Sequence, residues 1–205
     1  AELMWINNEA WGPLNGTLLN LSYGYGKVYV VPHEEVAGQM QGGMCQLPIP
    51  QFPTGTARGR ISDHDNGLYL SGMFAWGSSQ QAQEGGFYRL RYTGKASNMP
   101  IGLNAAGKKL KITFTDPLDQ ATATSAQSYT VKVWSLKRSA DYGSKHYDEH
   151  QIEIAAAQLS EDGKAVTLTI PELSKTWCME IKCRLKSADG EEFERVLHNT
   201  IHRVD

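Results

Sequence analysis

Gly42-Gly43-Met44-Cys45-Gln46-Leu47 returns about 40 positions later as Gly85-Gly86-Phe87-Tyr88-Arg89-Leu90. Two other landmarks recur in the same order. Gly16-Thr17 is echoed by Gly55-Thr56, and Gly26-Lys27-Val28-Tyr29-Val30 by Gly67-Leu68-Tyr69-Leu70. A self-similarity of this length, built on short alternating strands and glycine turns, is the pattern of consecutive β-propeller blades. Two blades do not close a ring. Residues 1–94 therefore read as the end of a larger propeller, a partial propeller of about two blades. Its open blade edge would pair with the remainder of the parent propeller or with another chain.

Working outward, Thr17–Tyr23, Lys27–Val31 and Met44–Ile49 form the three strands of the first copy, with Pro32–Gln41 as a polar connection. In the second copy the strands are Ala57–Ser62, Leu68–Met73 and Phe87–Tyr92. Asp63-His64-Asp65-Asn66-Gly67 supplies a hairpin turn, because Asn-Gly favours positive φ. Phe74–Glu84 is a long loop carrying Trp76. The repeat stops near Thr93-Gly94-Lys95. Beyond it, Leu110–Thr115, Ser128–Lys137, Gln151–Leu159, Ala165–Ile170, Trp177–Lys186 and Glu192–Arg203 are spaced as the strands of a sandwich, with Asp162-Gly163 and Asp189-Gly190 as turns. The expected fold is all-β, with blades over 1–94 and an Ig-like β-sandwich over 95–205. No amphipathic helix longer than about two turns is expected.

Composition agrees with a turn-rich β protein. Hydrophobic residues make up 40 % of the 205 residues, charged ones 20 %, and there are 20 glycines. The formal net charge is -2, so nothing steers the chain toward nucleic acid or an anionic membrane. No apolar run approaches the ~18 residues of a membrane span. Ala1-Glu2-Leu3-Met4-Trp5-Ile6 lacks the basic start and long apolar core of a signal peptide, and reads as a processing boundary. The 3 cysteines are too few for a disulfide framework. Cys178 and Cys183, odd-spaced on one strand, point to opposite faces and do not pair.

Several stretches together carry a family resemblance. Trp11-Gly12-Pro13-Leu14-Asn15-Gly16-Thr17-Leu18-Leu19, Gln41-Gly42-Gly43, Thr54-Gly55-Thr56-Ala57-Arg58-Gly59-Arg60 and Leu68-Tyr69-Leu70-Ser71-Gly72-Met73 resemble the final blades of large secreted proteins from planctomycetes and their relatives. Those proteins join a sugar-dehydrogenase-like propeller to cytochrome c or other electron-transfer modules. Thr113-Phe114-Thr115-Asp116-Pro117-Leu118-Asp119 is similar to the first strand of bacterial surface-layer Ig-like domains. Leu159–Leu168 is similar to a later hairpin of that class. The resemblance implies an extracytoplasmic, non-catalytic C-terminal region that docks the propeller onto neighbouring modules or a surface.

The candidate ligand residues follow from spacing and type. Arg58 and Arg60 share one side of a strand, where two guanidiniums can hold a carboxylate or phosphate; the structural use of the pair is an ion pair with Asp63, Asp65 or Glu84. Trp11 and Trp76 sit in polar loops, where an indole either stacks on a sugar ring or seals an interface. Two alternative functions arise from these residues. In one, Arg58, Arg60 and Trp76 contribute to a sugar or quinone-cofactor dehydrogenase site completed by absent blades. In the other, Trp11 and Trp76 make a carbohydrate-binding module. Asp63-His64-Asp65 reads as a hairpin tip, and His33-Glu34-Glu35 lacks the second histidine of a zinc-protease helix. His146 and His150 bracket Tyr147-Asp148-Glu149 in a loop, where they either chelate a metal or belong to a solvated polar loop before a strand, and His198 and His202 share a strand face too far apart for one ion. No catalytic residue, metal or cofactor is expected within this chain.

Overall fold

The computed structural model describes residues 2–74 and 82–204. Its strands, in chain order, are β1 (Glu2–Trp5), β2 (Leu18–Ser22), β3 (Lys27–Val30), β4 (His33–Val36), β5 (Gln39–Gln46), β6 (Gly55–Ile61), β7 (Leu68–Met73) and β8 (Gly85–Leu90). There follow β9 (Pro100–Ala106), β10 (Lys109–Phe114), β11 (Tyr129–Ser135), β12 (Tyr147–Ile152) and β13 (Ala156–Leu159). The last three are β14 (Ala165–Thr169), β15 (Thr176–Lys186) and β16 (Glu192–Ile201). One turn of helix, α1 (Gln120–Ala123), is capped by Asp119, whose Oδ1 accepts from Thr122 N at 2.8 Å. The protein is all-β, with antiparallel sheets of which none is closed. The chain forms two compact units. The first comprises Ala1–Val31 and Gln46–Ser97, the second Pro32–Cys45 and Asn98–Asp205. The chain thus enters the second unit twice, once for only fourteen residues.

In the first unit, β1, β2 and β3 form one antiparallel meander, and β6, β7 and β8 form another. Alternation decides which side chains are buried. Leu19 and Leu21 on β2, Val28 and Val30 on β3, and Leu68 and Leu70 on β7 are all solvent-free. Between β1 and β2 the chain winds through a 3-10 segment, Glu9–Leu14, started by Asn8, whose side chain accepts from Ala10 N. It buries Trp11 and Leu14. Leu47, just past β5, donates its N–H to Val28 O at 2.9 Å. The Asp63–Gly67 turn forms as expected, with Asn66 at φ 57°.

In the second unit, β9, β10, β14 and β13 make one sheet. β5, β16, β15, β11 and β12 make a second, with β4 added to β5. Leu110, Ile112, Phe114, Val166 and Leu168 of the first sheet, and Val131, Ile181, Cys183, Leu185 and Leu197 of the second, build the core. Four features depart from the sequence reading, one being that the loop expected between His146 and His150 is strand β12. Pro32–Gln41 is not a connection but the hairpin β4–β5, turning at Ala37 and Gly38 with φ of 47° and 76°. Such a mirror-image turn is normally signalled by Asn-Gly, and alanine hides it. The single strand expected over Gln151–Leu159 is two strands in different sheets, β12 on β11 and β13 on β14. Glu153–Ala155 carries the chain from one sheet to the other. Strand β9, which begins at Pro100, was not legible as a strand because its proline suggests a linker.

The repeated Gly-Gly pair serves different packing in its two copies. A Cβ at Gly43 would lie 2.1 Å from His198 O and one at Gly42 2.4 Å from Pro32 O, so β5 can approach its neighbours only as glycine. In the second copy, Gly86 makes room for the ring of Tyr88.

Candidate docking face

The bulge between Thr56 and Arg58 sets the register of β6 so that Arg58 lies opposite Ser71 and Arg60 opposite Tyr69. Across β7, Tyr69 faces Arg89 and Ser71 faces Phe87. Because side chains alternate, Arg58, Arg60, Tyr69, Met73, Phe87 and Arg89 share the outer face of this sheet, while Gly59, Leu68 and Leu70 turn inward. Phe87 is 73 % exposed, an unusual position for a phenylalanine. Its ring stacks on Tyr69 with centroids 5.5 Å apart and planes inclined by 21°. Met73 and Phe74 are exposed at the same end.

The arginines of this face are held by carboxylates. Arg60 Nη1 lies 2.8 Å from Glu2 Oε1, and Gly59 N donates to Glu2 Oε2 at 2.8 Å. Burial alone would raise the Glu2 carboxyl, but these hydrogen bonds and the charges of Arg60 and Arg58 leave it below its ordinary value. Arg58 donates to its neighbour's carbonyl, Ala57 O, at 2.9 Å and is otherwise solvated. Arg89 Nη2 sits 2.9 Å from Asp65 Oδ2, with its guanidinium 5.9 Å from the Tyr69 ring centre. Asp65 is held down at about 2, first by the hydrogen bond from Tyr69 Oη, then by that from Gly67 N and by the charge of Arg89. The carboxylate partner of Arg60 is thus Glu2, to which Arg58 adds only its charge, while Asp65 serves Arg89.

The structure brings Arg58 and Arg60 together on one face, as their spacing predicts, but Trp11 is elsewhere. Trp11 is 2 % exposed and donates Nε1–H to Asn66 O at 2.9 Å, so neither ring face is open to a sugar. Trp76 lies outside the described residues. Tyr69, Phe87 and Arg89 were missed. Their signal was present in the two-residue spacing of Tyr69, Ser71 and Met73 and of Phe87 and Arg89, which repeats that of Arg58 and Arg60.

The histidines have separate neighbours. His146 stacks on Trp134 with centroids 4.2 Å apart and pairs with Glu149; His150 Nδ1 donates to Asp148 O at 2.8 Å. His198 Nε2 is 3.3 Å from Glu180 Oε2, and His202 meets Trp177 edge to face. Among the described residues no three His, Cys, Asp or Glu side chains converge where they could hold a metal ion. Among the described residues no cysteine is in a disulfide; Cys45 and Cys183 are buried and Cys178 half-buried. Burial pushes the Cys45 thiol up to about 12 and the Cys183 thiol higher still, which suits packing rather than nucleophilic use.

No family model matches the chain, and no curated protein matches it. Two solved structures are similar in part: domains 1–6 of the surface layer protein SbsC and the S-layer protein rSbsC. Each match has 21 % identity and a TM-score of 0.34, takes in 47 % of this chain and spans 13 % of the other.

Proposed function

We propose that this chain is a non-catalytic docking region of an extracytoplasmic protein, and that the outer face of β6–β8 is its docking surface. The observation that carries the reading is Phe87, 73 % exposed and stacked on Tyr69 in the middle of an ordered sheet face. Burying a phenylalanine of this kind is worth ~1.5–3 kcal/mol, and an apolar ring fixed on a flat surface gains that free energy only from a partner. The partner proposed is another antiparallel sheet of the same longer protein. The sequence repeat favours it, since β6–β8 and its preceding copy would be successive propeller blades and the outer face of one blade packs on the next. The antiparallel meanders of the first unit, of which β6-β7-β8 pairs with no further strand among the described residues, suit this reading, and the two sheets of the second unit suit an Ig-like sandwich. A parent linked to sugar oxidation or electron transfer is what the resemblance in sequence implies.

The test places Phe87→Ser in the 205-residue chain and in a longer protein that contains it. Little change in Tm is expected in the short chain, where the ring is already solvated. A loss of several degrees is expected in the long one. Equal effects in both would refute the docking surface.

A further inference from the structure

The pairing of β15 with β16 slips between Thr176 and Met179, where three steps on β15 oppose two on β16, from Ile201 to Asn199. This β-bulge is pinned by two side chains: Thr200 Oγ1 donates to Trp177 O at 2.8 Å and Thr176 Oγ1 to Cys178 O at 2.9 Å. Bulges re-aim side chains, and are over-represented next to functional sites. The side chain re-aimed here is Trp177, left 57 % exposed. An indole seldom stays open on a strand whose next inward residue, Met179, is buried at 1 %. His202 braces it edge to face, with centroids 5.3 Å apart.

Trp177 lines two hollows. The first holds about 260 Å³ and carries Trp134, Asp148, His150, Glu172 and Lys175 on its walls. The second holds about 190 Å³ and shares Trp177 and Lys175, with His202 also on its wall. Each has room for about one sugar ring, well below the ~300–1,000 Å³ of an enclosed drug-sized pocket. An aromatic plane beside carboxylates, a lysine and hydroxyl side chains matches the chemistry of a pyranose. Its axial C–H face is apolar and stacks on a ring, and its equatorial hydroxyls both donate and accept. The carboxylates of Asp148 and Glu172 outnumber the ammonium of Lys175 in the first hollow, which disfavours an anionic saccharide and leaves an uncharged one.

We propose that the Trp177 bulge is a saccharide-binding site that takes two adjoining rings of a neutral oligosaccharide, one in each hollow. Ring stacking on the indole supplies affinity, and Asp148, Glu172 and Lys175 read the hydroxyls. This goes beyond the docking function and does not rest on it, since every residue involved lies in the second unit.

The test is a titration of the full chain with neutral hexa-oligosaccharides of glucose, N-acetylglucosamine, mannose and xylose up to ~10 mM, the range of weak single-site binding. Indole fluorescence and ligand-observed NMR are the readouts. At least one sugar is expected to bind the native chain. Trp177→Ala should weaken it ~10-fold or more, and Trp177→Phe should retain part of it. Trp5→Ala, which removes an exposed indole of the first unit, should leave it unchanged. Because Trp177 is mostly solvated, Trp177→Ala should keep the native Tm, which separates lost binding from lost folding. No binding of any neutral sugar, binding only of anionic sugars, or equal binding by Trp177→Ala and the native chain would overturn the proposal.

Discussion

Asp65 stands at the tip of the β6–β7 hairpin, accepting from Tyr69 Oη at 2.7 Å and Gly67 N at 3.1 Å and facing Arg89. Every one of these contacts favours the ionised form, so folding lowers its pKa to about 2. The sign of the linkage follows. Protons bind Asp65 more readily in the unfolded chain, so its contribution is present above the ordinary aspartate value near ~4 and is lost as pH falls toward about 2. Asp65→Asn cannot titrate. Thermal unfolding measured from pH 6 to pH 2 should show the native chain losing its advantage over Asp65→Asn across the acid end of that range. Parallel profiles for the two would show that Asp65 is not coupled to the fold. The same residue shows what sequence can and cannot supply. Asn66-Gly67 fixed the turn in advance, because a positive φ is a local demand. The partners Tyr69 and Arg89 depend on the β7–β8 register, which the turn does not set.

At the scale of an element, the β4–β5 hairpin was hidden for a similar reason. Its turn places Ala37 at φ 47°, where a Cβ costs ~1–2 kcal/mol. What holds it is polar rather than local. Glu34 Oε1 accepts from Ala105 N at 2.8 Å and from Gln41 Nε2 at 2.7 Å, and Glu34 Oε2 from Asn104 Nδ2 at 2.9 Å. Gln41 Oε1 in turn accepts from His202 N at 2.8 Å and Arg203 N at 2.9 Å. Glu34 and Gln41 bond to residues far away in sequence, and in a linear reading they are two polar residues of a loop. Ala37→Asn, which tolerates the left-handed region, should stabilise the protein by ~0.5–1 kcal/mol, seen as a Tm higher by ~1–4 °C. A lower Tm would mean the turn is not the strained one. The longer hairpin β15–β16 was legible for the opposite reason: its alternation runs uninterrupted on both sides of Asp189-Gly190, except at the Trp177 bulge, which period-two reading cannot see.

For the whole molecule, the consequence of this hairpin is that the two units are not consecutive segments of sequence. A linear reading places the division near residue 94, where the repeat ends. The contacts place it after Ser97 and assign Pro32–Cys45 to the later unit. Pairing explains the excursion. Gly42, Gly43, Met44 and Cys45 of β5 lie opposite Thr200, Asn199, His198 and Leu197 of β16. A fragment 98–205 would therefore expose the edge of β16, and the N–H groups of Ala105, His202 and Arg203 would lose the acceptors that Glu34 and Gln41 provide. Each unsatisfied donor that stays buried costs ~1–3 kcal/mol, so several together consume much of a domain's ~5–15 kcal/mol. An open edge also invites pairing between copies. Fragment 98–205 should melt well below the intact chain and self-associate in sedimentation. A synthetic peptide of residues 32–45 should raise its Tm and reverse the association, by supplying β5 to β16 and Glu34 to β9. If the fragment is monomeric, melts like the intact chain and ignores the peptide, then β4 and β5 are ornaments on that sheet, and the boundary near residue 94 divides the stable units after all.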